Sequence, residues 1–147
     1  MLALVSPAAA VAGNYPQELE QRKLVIVAPD GGRTALTVRV AKASAARARG
    51  MQHLAPATVR ANPMWFVFPR ERPHSRWHMR NVAIALDIAY VDNDGRVLAV
   101  ERMEPEREGY GIDEPIRYAL EVAAGRAAAL GLEAGARIRT PAGEPPR

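Results

Sequence analysis

Cysteine is absent from the 147 residues. Disulfide frameworks, thiolate zinc sites and cysteine nucleophiles are excluded together, while the redox state of the compartment stays open. Serine is nearly as scarce. Ser6, Ser44 and Ser75 are the only ones, and none lies in a Gly-x-Ser-x-Gly elbow, which argues against a serine hydrolase. The apolar segment 1–13 (MLALVSPAAAVAG) is far shorter than the roughly 20 residues a membrane-spanning helix needs, so no transmembrane span is expected. No internal repeat of useful period is visible.

What remains is the composition of one ordinary globular domain. Hydrophobic residues make up 48% and charged residues 24%, so wholesale disorder is not expected. A chain of this length buries roughly 68–70% of its exposable surface on folding, enough for a core without metal or disulfide staples.

Charge is unevenly distributed. The net charge is +4, yet residues 39–80 carry nine basic side chains (Arg39, Lys42, Arg47, Arg49, Arg60, Arg70, Arg72, Arg76 and Arg80) against Glu71 alone. Residues 81–147 carry eight basic against twelve acidic side chains. The basic stretch is either an anion-binding surface or a segment neutralised by the acidic one across the folded sheet. Arginine far outnumbers lysine, which codon bias also explains.

The N-terminus looks like a targeting segment. Residues 1–13 are apolar and Ala10-Val11-Ala12 fits a small-x-small cleavage site, although the basic start of a signal peptide is missing. The expectation is export, to the periplasm or envelope, with a disordered tail on a cytoplasmic protein as the alternative. Residues 1–20 are read as this segment plus a linker.

Hydrophobic periodicity organises the rest. Residues 24–28 form a compact apolar run, Asp30-Gly31-Gly32 a turn, and residues 34–41 alternate, which predicts a hairpin. Ser44 is expected to cap a short helix at 45–49 that Gly50 ends. Residues 63–68 (PMWFVF) form a second apolar run. Residues 86–92 alternate, with Leu86, Ile88 and Tyr90 opposite Asp87, Ala89 and Val91. Asn93-Asp94-Gly95 is a strong hairpin signal whose partner strand is 96–102. Residues 103–115 read as a polar, acidic loop, 116–122 as an alternating strand, 125–130 as a second helix and 135–140 as a last strand. Many strands and only two short helices predict a mainly β, antiparallel, sandwich-like or barrel-like fold over residues 21–140, with a disordered tail at 141–147.

Several of these stretches occur in an order that resembles a known family. Arg49-Gly50-Met51 resembles its Arg-Gly-Leu-Met step, and residues 63–68 its G-M-L-F-V-F run. Residues 77–88 resemble its F-W-M-K-N-T-x-I-P-L-D-I block, 91–95 its I-D-x-D-G hairpin, and 117–132 its R-Y-V-L-E-L-P-A-G strand and helix. Together they cover about residues 34–140 and identify the chain as resembling the bacterial and archaeal family called domain of unknown function 192. The resemblance implies a β-sandwich with small helical additions, often exported, and brings no established activity. Within the best block His78 stands where the family usually has Trp, Arg80 where it has Lys, Val82 where it has Thr, and Ala85 where it has Pro.

The chemistry-bearing residues are few. His74 and His78 have a metal-pair spacing only on a helix, which Pro73 opposes, so no metal is expected. Asp92 and Asp94 lack the remainder of a calcium loop and are explained by the turn. Asp87 and Glu121 would make a glycosidase-type carboxylate pair if they stood about 5–9 Å apart. The remaining cluster is Trp77, His78, Arg80, Asn81 and Asp87, joined by Arg49. It combines a stacking surface, a guanidinium fork, an imidazole, an amide and a carboxylate, a set that recognises a polar ligand. The competing view is that Arg80 and Asp87 pair for the fold while Asn81 holds a turn. Three functions stay open: an exported binding or accessory module for a small polar or anionic ligand, a carboxylate-based hydrolase, and a nucleic-acid binder using segment 39–80. No cofactor is implied.

Overall fold

The computed structural model describes residues 13–147. The targeting-like segment, apart from Gly13, lies outside the described residues. Strands β1 (Gln21–Val27) and β2 (Arg33–Ala41) form the expected antiparallel hairpin, in register from Gln21 opposite Arg39 to Val27 opposite Arg33. At the turn the Asp30 carboxylate accepts the Gly32 N–H at 2.8 Å. The chain then leaves the sheet for helices α1 (Ser44–Arg49) and α2 (Pro56–Ala61) and returns as β3 (Met64–Arg72). Strand β3 lies parallel to β2, Arg39 opposite Met64. A parallel neighbour needs a crossover of a dozen or more residues, which the helical segment supplies. The remaining elements are β4 (Trp77–His78), β5 (Leu86–Val91), β6 (Val97–Met103), β7 (Glu108–Tyr110), β8 (Ile116–Ala123), α3 (Arg126–Leu130) and β9 (Arg137–Arg139).

Seven strands form one sheet in the order β6-β5-β8-β3-β2-β1-β9, and β4 pairs with β7 as a separate ribbon. The large sheet curls until its two edges meet. Arg96 bridges to Arg137, and Val97 N–H donates to the Ala136 carbonyl at 2.8 Å while Ile138 N–H donates to the Gly95 carbonyl at 2.7 Å. Gly95 makes this closure possible. Its φ is 84°, and a Cβ there would stand 2.5 Å from the Ile138 carbonyl oxygen, a position open only to glycine.

Two cores result, one on each face. The inner core draws Leu24, Ile26, Val38, Trp65, Leu120 and Ile138 from strands along the whole sheet, as the inside of a curled sheet must. Trp65 stacks on Tyr118 with centroids 4.9 Å apart. The outer core joins Met64, Phe66, Ile88 and Tyr90 to Met51, Val59 and Met79 from the covering segments. Strand β5 is therefore buried at every position. The alternation expected for it holds: Leu86, Ile88 and Tyr90 enter the outer core, Ala89 and Val91 the inner one.

The fold is predominantly β, as expected, with four local differences. A third helix, α2, starts at Pro56 in the first turn, where its missing N–H costs nothing. Ser44 does not cap α1; Ala43 holds that position and no side-chain cap forms. The stretch expected to be a loop at 103–115 contains β7, ordered by pairing with β4. Residues near both ends of the described chain pack rather than trail. Tyr15 is buried in the outer core, and Pro146 is buried with its carbonyl accepting the Tyr118 hydroxyl at 2.5 Å.

Candidate functional site

A cavity of about 380 Å³ opens on the outer face of the sheet. One wall is α1 and the turn Gly50-Met51-Gln52; the other is Ser75, Arg76 and strand β4. Its floor comes from β3 and β8. Phe66 and Phe68 are two apart on β3 and so share a face, and Glu121 on β8 joins that face because it pairs with Met64 and with Ile88.

Glu121 is the most unusual group there. It is 5% exposed and makes no hydrogen bond among the described residues. Burial pushes its carboxyl up to about 8, so at neutral pH it is a neutral acid, able both to donate and to accept.

The surrounding charges are all positive. Arg47 and Arg72 lie over the Phe68 ring, at 5.4 and 5.0 Å from its centroid, and Arg49 lies 3.9 Å over the Tyr15 ring. These aromatic faces hold the guanidiniums by cation–π attraction without neutralising them. Among the described residues none of the three has a carboxylate partner, whereas Arg76 pairs with Asp113 at 2.6 Å. Trp77 sets its ring edge-on against Phe66 and Phe68, with centroids 4.9 and 6.0 Å away. Its indole Nε1 is buried without a hydrogen-bond partner among the described residues. The cavity is thus apolar and aromatic at its base, acidic at one point, and ringed by uncompensated cations.

Of the residues singled out from sequence, Arg49, Trp77 and His78 line this cavity, while Arg80, Asn81 and Asp87 do not. Arg80 does not pair with Asp87. It reaches Glu108 instead, at 3.3 Å on the exposed surface. Asp87 is buried on the inner side, where one carboxylate oxygen accepts Arg102 Nε at 2.5 Å and the other accepts the N–H groups of Gly125 and Ala127 at 2.8 and 3.3 Å. It anchors the start of α3 to the sheet. Asn81 adopts φ 60°, accepts the His53 N–H on its carbonyl at 2.9 Å and donates its own N–H to Glu106 at 3.0 Å. Asparagine is among the few residues that enter this conformation readily. His78 Nδ1 accepts the Arg80 N–H at 3.2 Å. His74 pairs with Asp113 at 3.2 Å. Asp87 and Glu121 do not converge: Asp87 pairs with Val122 and Ile88 with Glu121, so the two carboxyls leave opposite faces of the sheet.

The family model for domain of unknown function 192, described as uncharacterized ACR, COG1430, matches residues 25–140. The chain belongs to this family. No curated protein matches this domain-192 member. Among solved structures it is similar to a protein described as a candidate transcription regulator from Sinorhizobium meliloti 1021. That match is 25% identical with a TM-score of 0.73, covering 82% of this chain and 94% of the other. It is also similar to a protein of unknown function from Novosphingobium aromaticivorans DSM 12444, 28% identical with a TM-score of 0.70, covering 90% of this chain and 94% of the other.

Sequence reasoning left Glu121 out of the binding cluster, together with Arg47, Arg72, Phe66 and Phe68. A signal existed for Glu121: it is the one charged residue in the otherwise apolar run 118–123, and a lone acid inside an apolar strand asks for an explanation.

Proposed function

We propose that this domain-192 member is a binding module for a small organic anion, which it holds in the cavity between α1 and β4. One observation carries the reading: a buried carboxyl, Glu121, without a hydrogen-bond partner among the described residues, shares a cavity with three arginines that lack carboxylate partners among them. Such a set of strongly perturbed and uncompensated groups in one cleft is what binding sites accumulate and what folding alone does not require. The guanidiniums of Arg49 and Arg72 offer paired donors to a carboxylate or phosphate, and Phe66, Phe68 and Trp77 offer area to an apolar body. The small-x-small step Ala10-Val11-Ala12 supports an exported, periplasmic setting, which fractionation of cells expressing the full chain tests. The description of the Sinorhizobium protein makes DNA a partner to measure. The helices among the described residues are six residues or shorter, and Arg47 and Arg49 of α1 and Arg72 of β3 line the cavity, so duplex binding is expected to be weak and to vanish as salt rises.

The test is titration calorimetry with small carboxylates and inorganic phosphate, alongside native mass spectrometry of the purified protein. Saturable binding is expected, weakened roughly tenfold by Arg49→Ala or Arg72→Ala, the loss of about one charge-assisted hydrogen bond. Sequence-selective DNA binding at physiological salt with no small-anion binding would overturn the reading.

A further inference from the structure

We propose that the ligand is a zwitterion, an amino-bearing carboxylate or phosphate whose ammonium group seats against Glu121 while its anionic end faces the arginines. This rests on the anion-binding reading and specifies its ligand. The cavity carries opposite chemistry at two places. Among the described residues its floor offers a buried acid with no protein donor, and its walls offer Arg47, Arg49 and Arg72 without acidic partners. A simple anion satisfies only the second. It leaves the floor carboxyl without a partner, and an unsatisfied buried polar group weakens a complex. An ammonium satisfies the first. It also gains from the rings of Phe66 and Trp77 beside the floor, since desolvated aromatic faces attract cations. None of these arginines reaches Glu121, because their guanidiniums are held over the rings of Phe68 and Tyr15. Among the described residues no cation occupies the carboxyl, which an external one can then reach through the cavity.

Binding would then move a proton. Glu121 is a neutral acid in the free protein; an ammonium placed against it favours the carboxylate, so the carboxyl proton leaves to solvent as the ion pair forms. The other titratable groups facing Glu121 are the phenols of Tyr15, on the N-terminal turn, and Tyr90, on β5, both pushed up by burial and therefore neutral. Glu101 stands behind Tyr90 and accepts its hydroxyl at 2.7 Å. Arg47 and Arg49 from α1, Arg72 from β3 and Arg76 complete the charged surroundings, with the His78 imidazole beside them.

The experiment compares a series of ω-amino carboxylates of increasing chain length, each with its des-amino carboxylate, by calorimetry in buffers of different ionisation enthalpy. The expected result is that a zwitterion of matching length binds at least about tenfold tighter than its des-amino analogue and releases a proton at neutral pH. Glu121→Gln should abolish that preference and the proton release while keeping the weaker binding of the plain carboxylate. Equal or tighter binding of the plain carboxylates, or proton release absent from the zwitterion complex, would overturn the zwitterion and leave the anion site standing. No binding by either series would overturn the anion site itself. The wild-type proton release decides the question even if the glutamine variant fails to fold.

Discussion

Replacing Glu121 by glutamine should change how stability depends on pH, and the structure gives both the sign and the size. In the folded protein burial holds this carboxyl at about 8, against an ordinary value of 4.5. Below pH 4.5 both folded and unfolded chains carry the proton, and Glu121 contributes no pH dependence. Between the two values the unfolded chain has released the proton while the folded chain retains it. Stability therefore falls as pH rises, by roughly 1.4 kcal/mol per unit for one proton. Across the whole window the loss is on the order of 4–5 kcal/mol, a large part of the roughly 5–15 kcal/mol that holds a domain together. Glutamine has no proton to lose and no charge to bury. The variant should match the natural protein at pH 4.5 and exceed it progressively toward pH 8, where the midpoint of thermal unfolding should differ by about 2–4 °C for each kcal/mol. Urea unfolding of both proteins at several pH values across the window measures this. Taking the difference between them removes the contribution of every other titrating group. Parallel pH profiles would show that the Glu121 carboxyl is solvated or paired in solution, and the site as described would not exist.

Asp87→Ala should cost about 2–4 kcal/mol, because it strips the acceptor from the Gly125 and Ala127 N–H groups and a lost bond to a charged acceptor is worth roughly 1.5–3 kcal/mol. Arg80→Ala should leave the denaturation midpoint unchanged, since its ion pair with Glu108 is solvent-exposed; equal losses from the two substitutions would restore a pairing between Arg80 and Asp87. Gly95→Ala should lower stability by more than about 1–3 kcal/mol, the cost of the strained φ alone, because the added Cβ also meets the Ile138 carbonyl. Faster hydrogen exchange at the Val97 and Ile138 amides, with the β1–β2 amides unchanged, is the expected signature of a sheet opened at its seam. Uniform exchange would place the closure elsewhere.

The strands were legible because their signals are local. Asp30-Gly31-Gly32 and Asn93-Asp94-Gly95 dictate turns within a few residues, and alternation on either side follows from the pleat. The site was only partly legible because it is assembled from distant pieces. Arg49 comes from α1, Trp77 from β4 and Glu121 from β8, and only the pairing of β8 with β3 and β5 decides that Glu121 shares a face with Phe66 rather than with Trp65. Side-chain chemistry points to Arg49, Trp77 and His78, and nearness in sequence joins only the last two. Nothing local could say that Arg80, beside His78, turns outward.

Asp87 shows most clearly where sequence information ends. With Asp92 N–H bonded to the Arg96 carbonyl, a regular hairpin continued outward would set Asp87 opposite Glu101, a repulsive pairing of two acids. The irregularity between Tyr90 and Val91 slips the register by one residue and sets Arg102 there instead. The same slip frees Glu101 to stand opposite Ile88 and to accept the Tyr90 hydroxyl and the Gly111 N–H, at 2.7 and 3.2 Å. A single bulge thus satisfies a buried carboxylate on the inner face and ties the ribbon-bearing loop to the outer one. Bulges leave no reliable mark in composition or periodicity, because one inserted residue alters alternation only beyond the point where pairing has already been assigned. The partner of Asp87 was therefore hidden by one residue of register, although both side chains lie within one hairpin.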